Sequence, residues 1–366
     1  MRIAYMLTSL GIGGAERQVV ALAERMASRG HTVVLVVLKP RALKEWPTNL
    51  QVIHLDMHEK LASVLGALMR GRRVLREFQP DLVHSHTYPA NMAARMLKLL
   101  GAAPAVLSTI HNVYEGGSRR MLTYRLTDGL SIHTTAVCEA AADRFMRKKA
   151  VPQRKCTVMT NAIDTAEFAP RAIHRATSRA EQGVTGEFVW LAVGRMVPAK
   201  DYENLLRAFT SAPVAHHNTQ LWIAAERTGQ EFNRVHSLAA KLGVNKAIRW
   251  LGLRRDMSGL LDAADGFVLA SAWEGMPLAI GEAMAMEKPV VATDVGGVRE
   301  IVGEAGVLVP AKNAERLAEA MTAMMEESPE SRRAMGHAAR ERILAGFSFD
   351  VRVNEWESLY RSLLVC

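Results

Sequence analysis

The sequence of 366 residues is poor in cysteine and aromatic side chains and has no long apolar run. Its three cysteines, Cys138, Cys156 and Cys366, are an odd number without close pairing. This pattern argues against a disulfide framework and against a zinc site of paired thiolates, and it favours a reducing compartment. The longest apolar runs, such as residues 33–38, are strand-sized and fall short of the roughly 18 residues that span a bilayer.

Positive charge is concentrated in one half of the chain. Residues 1–165 carry 23 Lys and Arg against 12 Asp and Glu, a net charge of +11, whereas residues 166–366 carry 23 against 25, a net charge of −2. Such an asymmetry of charge is typical of a protein whose basic half binds a polyanion, either nucleic acid or an anionic membrane. A basic surface that serves only solubility is the alternative. Aromatic residues, at 6%, are not interleaved with the basic ones, so we expect no nucleic-acid partner.

Short apolar runs alternate with segments of helical periodicity in two successive arrays. The predicted strands are residues 3–7, 32–38, 82–85, 105–110, 134–137 and 157–160, then 188–193, 220–224, 248–251, 266–270, 290–293 and 307–309. Consecutive apolar residues are typical of parallel strands covered by helices on both faces. The chain also exceeds the length of one core. We therefore predict an α/β fold of two doubly wound, Rossmann-like domains that face each other across a cleft, with the polar stretch 164–186 as linker.

A glycine-rich loop follows the first predicted strand. Gly13 and Gly14 there let the backbone approach a ligand closely and direct N–H groups toward an anion. Glu16 occupies the last glycine position of a dinucleotide fingerprint, and the second strand ends without a carboxylate, which disfavours a nicotinamide dehydrogenase. A tight turn needed only for packing is the alternative.

Two glutamates flank a predicted helix start in the second half. Glu274 follows a buried strand, Pro277 suits the first position of a helix, and Glu282 lies about a turn and a half further on. N–H groups after Gly275 suit a phosphate, and carboxylates accept hydrogen bonds from sugar hydroxyls. A solvated helix face is the alternative.

Two cations follow the first strand of the second array. Arg195 and Lys200 can neutralise a diphosphate leaving group, although an exposed basic loop has the same pattern. The sequence has no Asp-x-Asp pair, which removes the simplest magnesium site on substrate phosphates, and we expect no metal and no cofactor.

Histidines end two strands of the first array. His84 and His86 share a strand face, but no third metal ligand stands nearby in sequence. His111, which precedes Asn112, could hydrogen-bond a sugar hydroxyl or orient a nucleophile, and a structural histidine is the alternative.

Together these motifs resemble the family 4 retaining glycosyltransferases of GT-B fold, of the bacterial group 1 type. The resemblance extends over nearly the whole chain and is most specific over residues 271–301. Its motifs are Gly13-Gly14-Ala15-Glu16-Arg17-Gln18, His111-Asn112, Asn161-Ala162-Ile163-Asp164, Gly194-Arg195 with Lys200, Trp250-Leu251-Gly252, and Glu274 with Glu282 followed by Pro289-Val290-Val291-Ala292-Thr293.

The resemblance implies transfer of a sugar, hexosyl or N-acetylhexosaminyl, from a nucleotide-sugar substrate with retention of configuration. We expect a UDP-sugar rather than a GDP-sugar. The implied catalytic residues are His111 and Glu274. The implied donor-binding residues are Gly13, Gly14, Arg195, Lys200, Leu251, Arg254, Gly275, Met276, Pro277, Leu278 and Glu282, and the acceptor-side residues are Arg17, His86 and Asn91.

The predicted domains are residues 1–165 with a returning C-terminal helix, 349–366, and residues 166–348. We expect a glycan or a polyprenyl- or lipid-linked acceptor in polysaccharide or glycoconjugate synthesis, and a peripheral protein on the inner face of the cytoplasmic membrane. Candidate contacts with that anionic surface are Arg70, Arg72, Arg73, Arg76, Arg144, Arg147, Lys148 and Lys149, beside Phe145 and Met146. An epimerase or hydrolase of nucleotide sugars with the same fold is the alternative, and a basic nucleic-acid-binding protein is a third.

Two positions depart from the family pattern. Ala162 stands where relatives have glycine, so the backbone there either avoids positive φ or is strained. The loop 225–229 lacks the early glycines that are usual after this strand, which leaves open how closely it approaches a nucleotide.

Overall fold

Each of two units of the chain is built on a parallel sheet. The computed structural model describes residues 1–11, 13–42, 45–211 and 218–364. The first unit comprises Met1–Asn161 and Phe349–Cys366, and the second comprises Ala162–Ser348. The division therefore falls after Asn161, whereas the sequence placed it after residue 165.

Seven parallel strands form the sheet of the first unit. They are β1 (Arg2–Leu7), β2 (Thr32–Val37), β3 (Gln51–His54), β4 (Leu82–His86), β5 (Val106–Ile110), β6 (His133–Ala136) and β7 (Cys156–Val158). Their order in the sheet is β3-β2-β1-β4-β5-β6-β7. The helices between them are α1 (Gly14–Ser28), α2 (Leu61–Phe78), α3 (Tyr88–Leu99), α4 (Ser118–Leu126) and α5 (Glu139–Arg147).

The central strands of this sheet consist of consecutive buried residues, as a sheet covered on both faces requires. Strand β3 was not predicted from the sequence. It lies at the sheet edge, pairs only with β2, and none of its four residues is fully buried. An edge strand of this kind has little apolar signal, because only one side of it meets the core.

The second unit contains six parallel strands and eight helices among the described residues. The strands are β8 (Phe188–Val193), β9 (Thr219–Ala224), β10 (Ile248–Trp250), β11 (Gly266–Leu269), β12 (Val290–Thr293) and β13 (Val307–Val309), in the order β10-β9-β8-β11-β12-β13. The helices are α6 (Ala172–Glu181), α7 (Tyr202–Phe209), α8 (Gln230–Lys241), α9 (Met257–Ala263), α10 (Leu278–Ala285), α11 (Val298–Val302), α12 (Ala314–Glu326) and α13 (Pro329–Gly346).

The stretch 164–186 is not a linker, contrary to the prediction. It contains α6, which packs on α9. Arg175 donates hydrogen bonds to the Asp262 and Ala264 carbonyls at 2.7 Å, and Arg179 donates to the Asp265 carboxylate at 2.9 Å. The polar composition that resembles a linker therefore serves ion pairs within the second unit.

The last helix, α14 (Phe349–Leu364), packs on α1 in the first unit. The Tyr360 hydroxyl lies 3.0 Å from that of Tyr5 on β1 and 2.8 Å from His84 Nδ1 on β4. The Trp356 ring packs against the same histidine in a tilted arrangement, with 4.9 Å between ring centroids. These buried contacts explain the aromatic side chains of the last helix by packing alone.

Candidate active site

The strand order of the second unit fixes where a ligand can bind. Strands β8 and β11 are neighbours, and from this pair the chain proceeds to β9 on one side and to β12 on the other. At such a switch point the loops at the carboxyl ends diverge and leave a crevice. The loop after β8 carries Arg195 and Lys200, and the loop after β11 carries Glu274, so the fold brings two separate motifs to one place.

Lys200 and Glu274 form an ion pair at this switch point. Lys200 Nζ lies 2.6 Å from Glu274 Oε1, and the Ser271 hydroxyl donates to the same oxygen at 2.6 Å. The two side chains are only 16% and 11% exposed. The lysine stem passes over Gly194, where a Cβ would lie 2.7 Å from Cε. Glycine at position 194 therefore makes room for the cation.

The loop that carries Glu274 is held by a second loop, after β12. Gly297 N–H donates to the Gly275 carbonyl at 2.7 Å, and the Thr293 hydroxyl donates to the Ser271 carbonyl at 2.7 Å. Gly296 has φ +56°, and a Cβ there would lie 2.1 Å from the Glu274 carbonyl oxygen. No role for Ser271, Thr293 or Gly296 was predicted from the sequence. Ser271 contacts the Glu274 carboxylate, whereas Thr293 and Gly296 contact the backbone of the motif.

Helix α10 begins beside this loop. It starts at Leu278, one residue later than predicted, with Pro277 extended immediately before it. Gly275, Met276 and Pro277 are buried, and Glu282 is buried within the helix. The N–H groups of a first helical turn carry partial positive charge, which suits a phosphate.

The other predicted donor residues have varied surroundings. Arg195 is exposed, and its loop is anchored by the Tyr202 hydroxyl, which donates to the Gly194 carbonyl at 2.9 Å. Arg254 forms an ion pair with Asp256, which lowers the pKa of that carboxyl. The Leu251 N–H is bonded to the Ile223 carbonyl at 2.9 Å. Donor contacts by these residues stay predictions.

Ala162 and the loop 225–229 adopt unstrained arrangements. The φ angle of Ala162 is not positive, so the missing glycine costs nothing there. In the loop, Glu226 accepts a hydrogen bond from the Met196 N–H at 2.8 Å, and the Arg227 side chain packs near Gly252.

The switch point of the first unit lies between β1 and β4. Of the glycine loop after β1, Ile12 lies outside the described residues. Gly13 precedes α1 with φ −76°, and a Cβ there would lie 2.5 Å from Glu16 Oε2. Gly13 thus accommodates the Glu16 carboxylate. The Arg17 guanidinium lies over the Trp46 ring, 4.8 Å from its centroid.

His86 and His111 pair with each other at the carboxyl ends of β4 and β5. His86 Nδ1 lies 2.9 Å from His111 Nε2, so one ring donates a hydrogen bond to the other. Burial lowers the pKa of His111 to about 4 and that of His86 well below its usual value, so both rings are neutral at pH 7. His86 is buried, and its Nε2 has no hydrogen-bond partner within the described residues.

Glu115 holds the backbone of His111. One carboxylate oxygen accepts from the His111 N–H at 2.9 Å, and the other accepts from the Tyr124 hydroxyl at 3.0 Å. Burial raises the pKa of Glu115 to about 7. Glu115 was not predicted from the sequence, because a lone glutamate in a loop resembles a solvated charge.

Asn91 does not lie where the sequence placed it. Its side chain is completely buried, its amide donates to the Thr109 carbonyl and to the Tyr124 hydroxyl, and its oxygen accepts from Ser85. With no exposed surface, Asn91 supports the strands behind His111 and is not available to an acceptor. His86 is buried as well, and its Nδ1 lies against His111.

Glu115→Gln is expected to weaken the pH dependence of stability. The folded chain keeps the Glu115 proton up to a pKa of about 7, whereas the unfolded chain loses it near 4.5. The protonated Glu115 side chain therefore stabilises the fold fully below pH 4.5. This stabilisation is lost as the pH rises through 7, and the free energy of unfolding falls by about 3 kcal/mol. Denaturant unfolding at pH 5 and pH 8 should show a smaller loss for Glu115→Gln than for the native chain. Exposed Glu59→Gln is the matched control, and equal losses in all three proteins would contradict the assignment.

Two family models match the chain, one in each unit. The model described as Glycosyltransferase Family 4 matches residues 12–167, and the model described as Glycosyl transferases group 1 matches residues 174–342. The chain belongs to the family 4, group 1 glycosyltransferases. The family that the motifs predicted is thereby confirmed.

Curated relatives of this glycosyltransferase cover most of its length. An Escherichia coli UDP-Gal:alpha-D-GlcNAc-diphosphoundecaprenol alpha-1,3-galactosyltransferase is 26% identical over 310 residues, which is 80% of this chain and 78% of the relative. The lipopolysaccharide core biosynthesis glycosyltransferase LpsE of Rhizobium meliloti is 25% identical over 361 residues, 96% of each chain.

Solved structures confirm the predicted fold class. A glycosyltransferase from Rickettsia africae aligns with a TM-score of 0.85 at 19% identity, over 99% of this chain and 98% of that one. Anabaena HepE in complex with UDP and glucose aligns with a TM-score of 0.86 at 19% identity, over 99% of this chain and all of that one. The fold of the glycosyltransferase is GT-B, with a Rossmann-like sheet in each unit. In the described part of the chain, no helix combines the length and apolar character that a membrane crossing needs.

Proposed function

We propose that this glycosyltransferase transfers a hexosyl or N-acetylhexosaminyl group from a nucleotide-diphosphate sugar to a lipid-linked or other membrane-associated glycan. The transfer retains the anomeric configuration and uses no metal. The observation that carries the proposal is the Lys200–Glu274 ion pair at the switch point of the second unit. The fixed cation can bind the diphosphate of a nucleotide sugar, and the fixed carboxylate beside it can accept hydrogen bonds from the sugar.

Lys200 is assigned to the leaving group. Cleavage of the sugar–phosphate bond puts negative charge on the departing diphosphate, and preorganised positive groups stabilise that charge where water is largely excluded. Lys200 is mostly buried, and exposed Arg195 lies in the same loop as Lys200. The N-terminus of α10 follows the loop that carries Glu274. These groups replace the magnesium that an Asp-x-Asp site would hold.

Glu274 is assigned to the transferred sugar. Its hydrogen bonds within the described residues, from Lys200 and Ser271, both reach Oε1. Oε2 thus remains for a sugar hydroxyl, and the negative charge stabilises the oxocarbenium-like carbon of the transition state. In a retaining reaction the acceptor attacks the face that the diphosphate leaves, and a donor phosphate oxygen can take the acceptor proton.

A uridine nucleotide is favoured by the relatives. The Escherichia coli relative is named for UDP-Gal, and Anabaena HepE was solved with UDP and with UDP-glucose. We assign the ribose hydroxyls to Glu282 and the base to the backbone between Leu251 and Arg254.

A lipid-linked acceptor is favoured by the relatives and by the surface of the first unit. The Escherichia coli relative is named for a diphosphoundecaprenol acceptor. Along α2, Leu61, Leu65 and Met69 are exposed at a spacing of four residues, and basic side chains follow them on the same helix. Phe145, a predicted membrane contact, is fully buried and is therefore replaced in this role by the stripe on α2. A basic helix with an exposed apolar stripe suits peripheral contact with an anionic membrane.

Thermal unfolding with UDP, GDP, UDP-glucose and UDP-N-acetylglucosamine tests the donor site. The uridine nucleotides should raise the unfolding temperature of the native chain. Glu282→Gln should weaken UDP binding by about 10- to 100-fold, because one charged hydrogen-bond partner of the ribose is lost. Exposed Glu304→Gln is the matched control and should bind like the native chain. Unchanged UDP binding by Glu282→Gln would refute the assignment of the ribose.

Product analysis separates the proposal from an epimerase or hydrolase of the same fold. A labelled nucleotide sugar incubated with a membrane extract should yield label in a lipid-linked or polymeric product. Free labelled sugar would indicate hydrolysis, and an epimeric nucleotide sugar would indicate epimerisation.

A further inference from the structure

A basic pocket lies in the first unit, away from the histidine pair. It is an open concavity lined along the length of α4 and at the C-terminal end of α5, and the residues that line it are Gly117, Ser118, Met121, Leu122, Arg125, Arg144 and Lys148. Three of these side chains are cationic, and no carboxylate lines the pocket in the described part of the chain. Such a lining selects a multiply charged anion.

The three cations are not neutralised by carboxylates in the part of the chain that the structure describes. No ion pair of Arg125, Arg144 or Lys148 with a carboxylate occurs within the described residues, and the Arg144 Nε–H is buried without a hydrogen-bond partner. Most other arginines of the chain donate to carbonyls or carboxylates. Arg144 instead stacks on Tyr114, with 5.1 Å from the guanidinium to the ring centroid. The stacking fixes the guanidinium at the pocket without neutralising it.

Apolar side chains stand exposed beside the cations. Leu122, which lines the pocket, is 53% exposed, and Leu126, one helical turn further along α4, is 74% exposed. Tyr114 is also exposed. A soluble anion would not contact these apolar side chains. A phosphate attached to a hydrocarbon chain would bind the cations through its phosphate and the apolar side chains through its hydrocarbon chain.

The pocket is connected to His111 by a single loop. This loop begins at His111, after β5, and ends at Gly117, where α4 starts. Glu115 stands in its middle, accepts the His111 N–H, and through its carbonyl accepts a hydrogen bond from Arg120 on α4. The loop thus links the pocket to the candidate catalytic histidine along the chain and through the hydrogen bonds of Glu115.

We propose that this pocket binds the phosphate or diphosphate of a lipid-linked acceptor, with Arg125, Arg144 and Lys148 on the phosphate oxygens and Leu122 and Leu126 against the first part of the lipid chain. The inference rests on the proposed function in its choice of a lipid-linked acceptor. It assigns that acceptor a binding site in the first unit, which can be measured without any donor.

The test compares two triple variants of equal charge. Arg125→Gln with Arg144→Gln and Lys148→Gln empties the pocket of cations. Lys39→Gln with Arg119→Gln and Arg154→Gln removes three exposed cations of the first unit that lie outside the pocket. The probe is a phosphatidylcholine vesicle with and without 5% polyprenyl diphosphate, and binding is measured by co-sedimentation. Thermal unfolding of each variant verifies that it is folded.

The pocket variant should lose at least about ten-fold in affinity for the polyprenyl diphosphate vesicles, and the control variant should lose less than about three-fold. Equal losses in the two variants would show attraction by general charge and would overturn the proposal, as would no loss in either. Inorganic pyrophosphate serves as competitor. If it binds the native chain as tightly as the lipid does, or if Leu122→Gln with Leu126→Gln leaves vesicle binding unchanged, the lipid is not recognised and the proposal fails.

The donor site is measured on the same variants. Stabilisation by UDP should be unchanged in both triple variants, because none of the substituted cations is assigned to the donor. Loss of vesicle binding with UDP stabilisation intact supports the pocket. Absence of UDP stabilisation in the native chain would instead refute the proposed function. The proposal for the pocket would then be tested by the vesicle binding alone.

Discussion

Lys200→Met is expected to lower the turnover of sugar transfer by about 10²- to 10³-fold. Preorganised groups that stabilise a developing negative charge contribute roughly 3–4 kcal/mol to a transition state, and Lys200 is the mostly buried cation at this switch point. The methionine side chain keeps the packing over Gly194 and removes the charge together with its hydrogen bond to Glu274. Steady-state kinetics with a nucleotide-sugar donor measure the effect, which should be larger in turnover than in the Michaelis constant for the donor.

Lys246→Met is the control for Lys200→Met. Lys246 is exposed and lies in the same unit, so its replacement changes the net charge equally and should leave turnover within about two-fold of the native value. Glu274 keeps the hydrogen bond from Ser271 in the Lys200 variant, so the loop should stay in place. Near-native turnover of a folded Lys200→Met protein would contradict the assignment of Lys200 to the leaving group.

Gly296→Ala is expected to destabilise the second unit and to abolish donor binding. The residue has φ +56°, which costs an alanine about 1 kcal/mol or more, and its Cβ would lie 2.1 Å from the Glu274 carbonyl oxygen. That oxygen belongs to backbone and cannot rotate away, so the loop that carries Glu274 must shift. We expect a loss of about 3 kcal/mol or more in the free energy of unfolding, measured by denaturant titration.

Gly186→Ala is the control for Gly296→Ala. Gly186 lies in the same unit, has no atom within 4 Å of the position of a Cβ, and does not adopt positive φ. Its replacement should change stability by less than about 0.5 kcal/mol. If Gly296→Ala folded with native stability and bound UDP normally, the contact between the two loops would not position Glu274.

The fold was predictable because the central strands of its sheets consist of consecutive apolar residues. The runs of β1 and β2, or of β8 and β11, signal buried strands without any knowledge of their neighbours. Where burial is partial, the signal is weak, and β3 at the sheet edge was therefore missed. Helix α6 was misread as linker because its arginines look solvated in sequence, although they bind carbonyls and a carboxylate of the second unit.

The site was predictable as separate motifs and not as an arrangement. Lys200 and Glu274 are 74 residues apart, and only the order of β8 and β11 in the sheet makes them neighbours. Buried polar residues were the least accessible to sequence reasoning. Asn91 and Glu115 are of residue types that usually lie at the surface, yet both are buried in the hydrogen-bond network behind His111. Composition alone does not reveal burial, because each buried polar group depends on partners distant in sequence.

Transfer of label from a nucleotide sugar into a membrane-extract lipid is the most direct measurement of the proposed activity. The purified chain is incubated with a UDP-sugar labelled in the sugar, a membrane extract and a chelator of divalent metals, and the organic phase is analysed. We predict a labelled lipid-linked product with the anomeric configuration of the donor, formed by the native chain and reduced at least about 100-fold by Lys200→Met. Label that appears only as free sugar or as an epimeric nucleotide sugar, with none in an acceptor, would contradict a transferase.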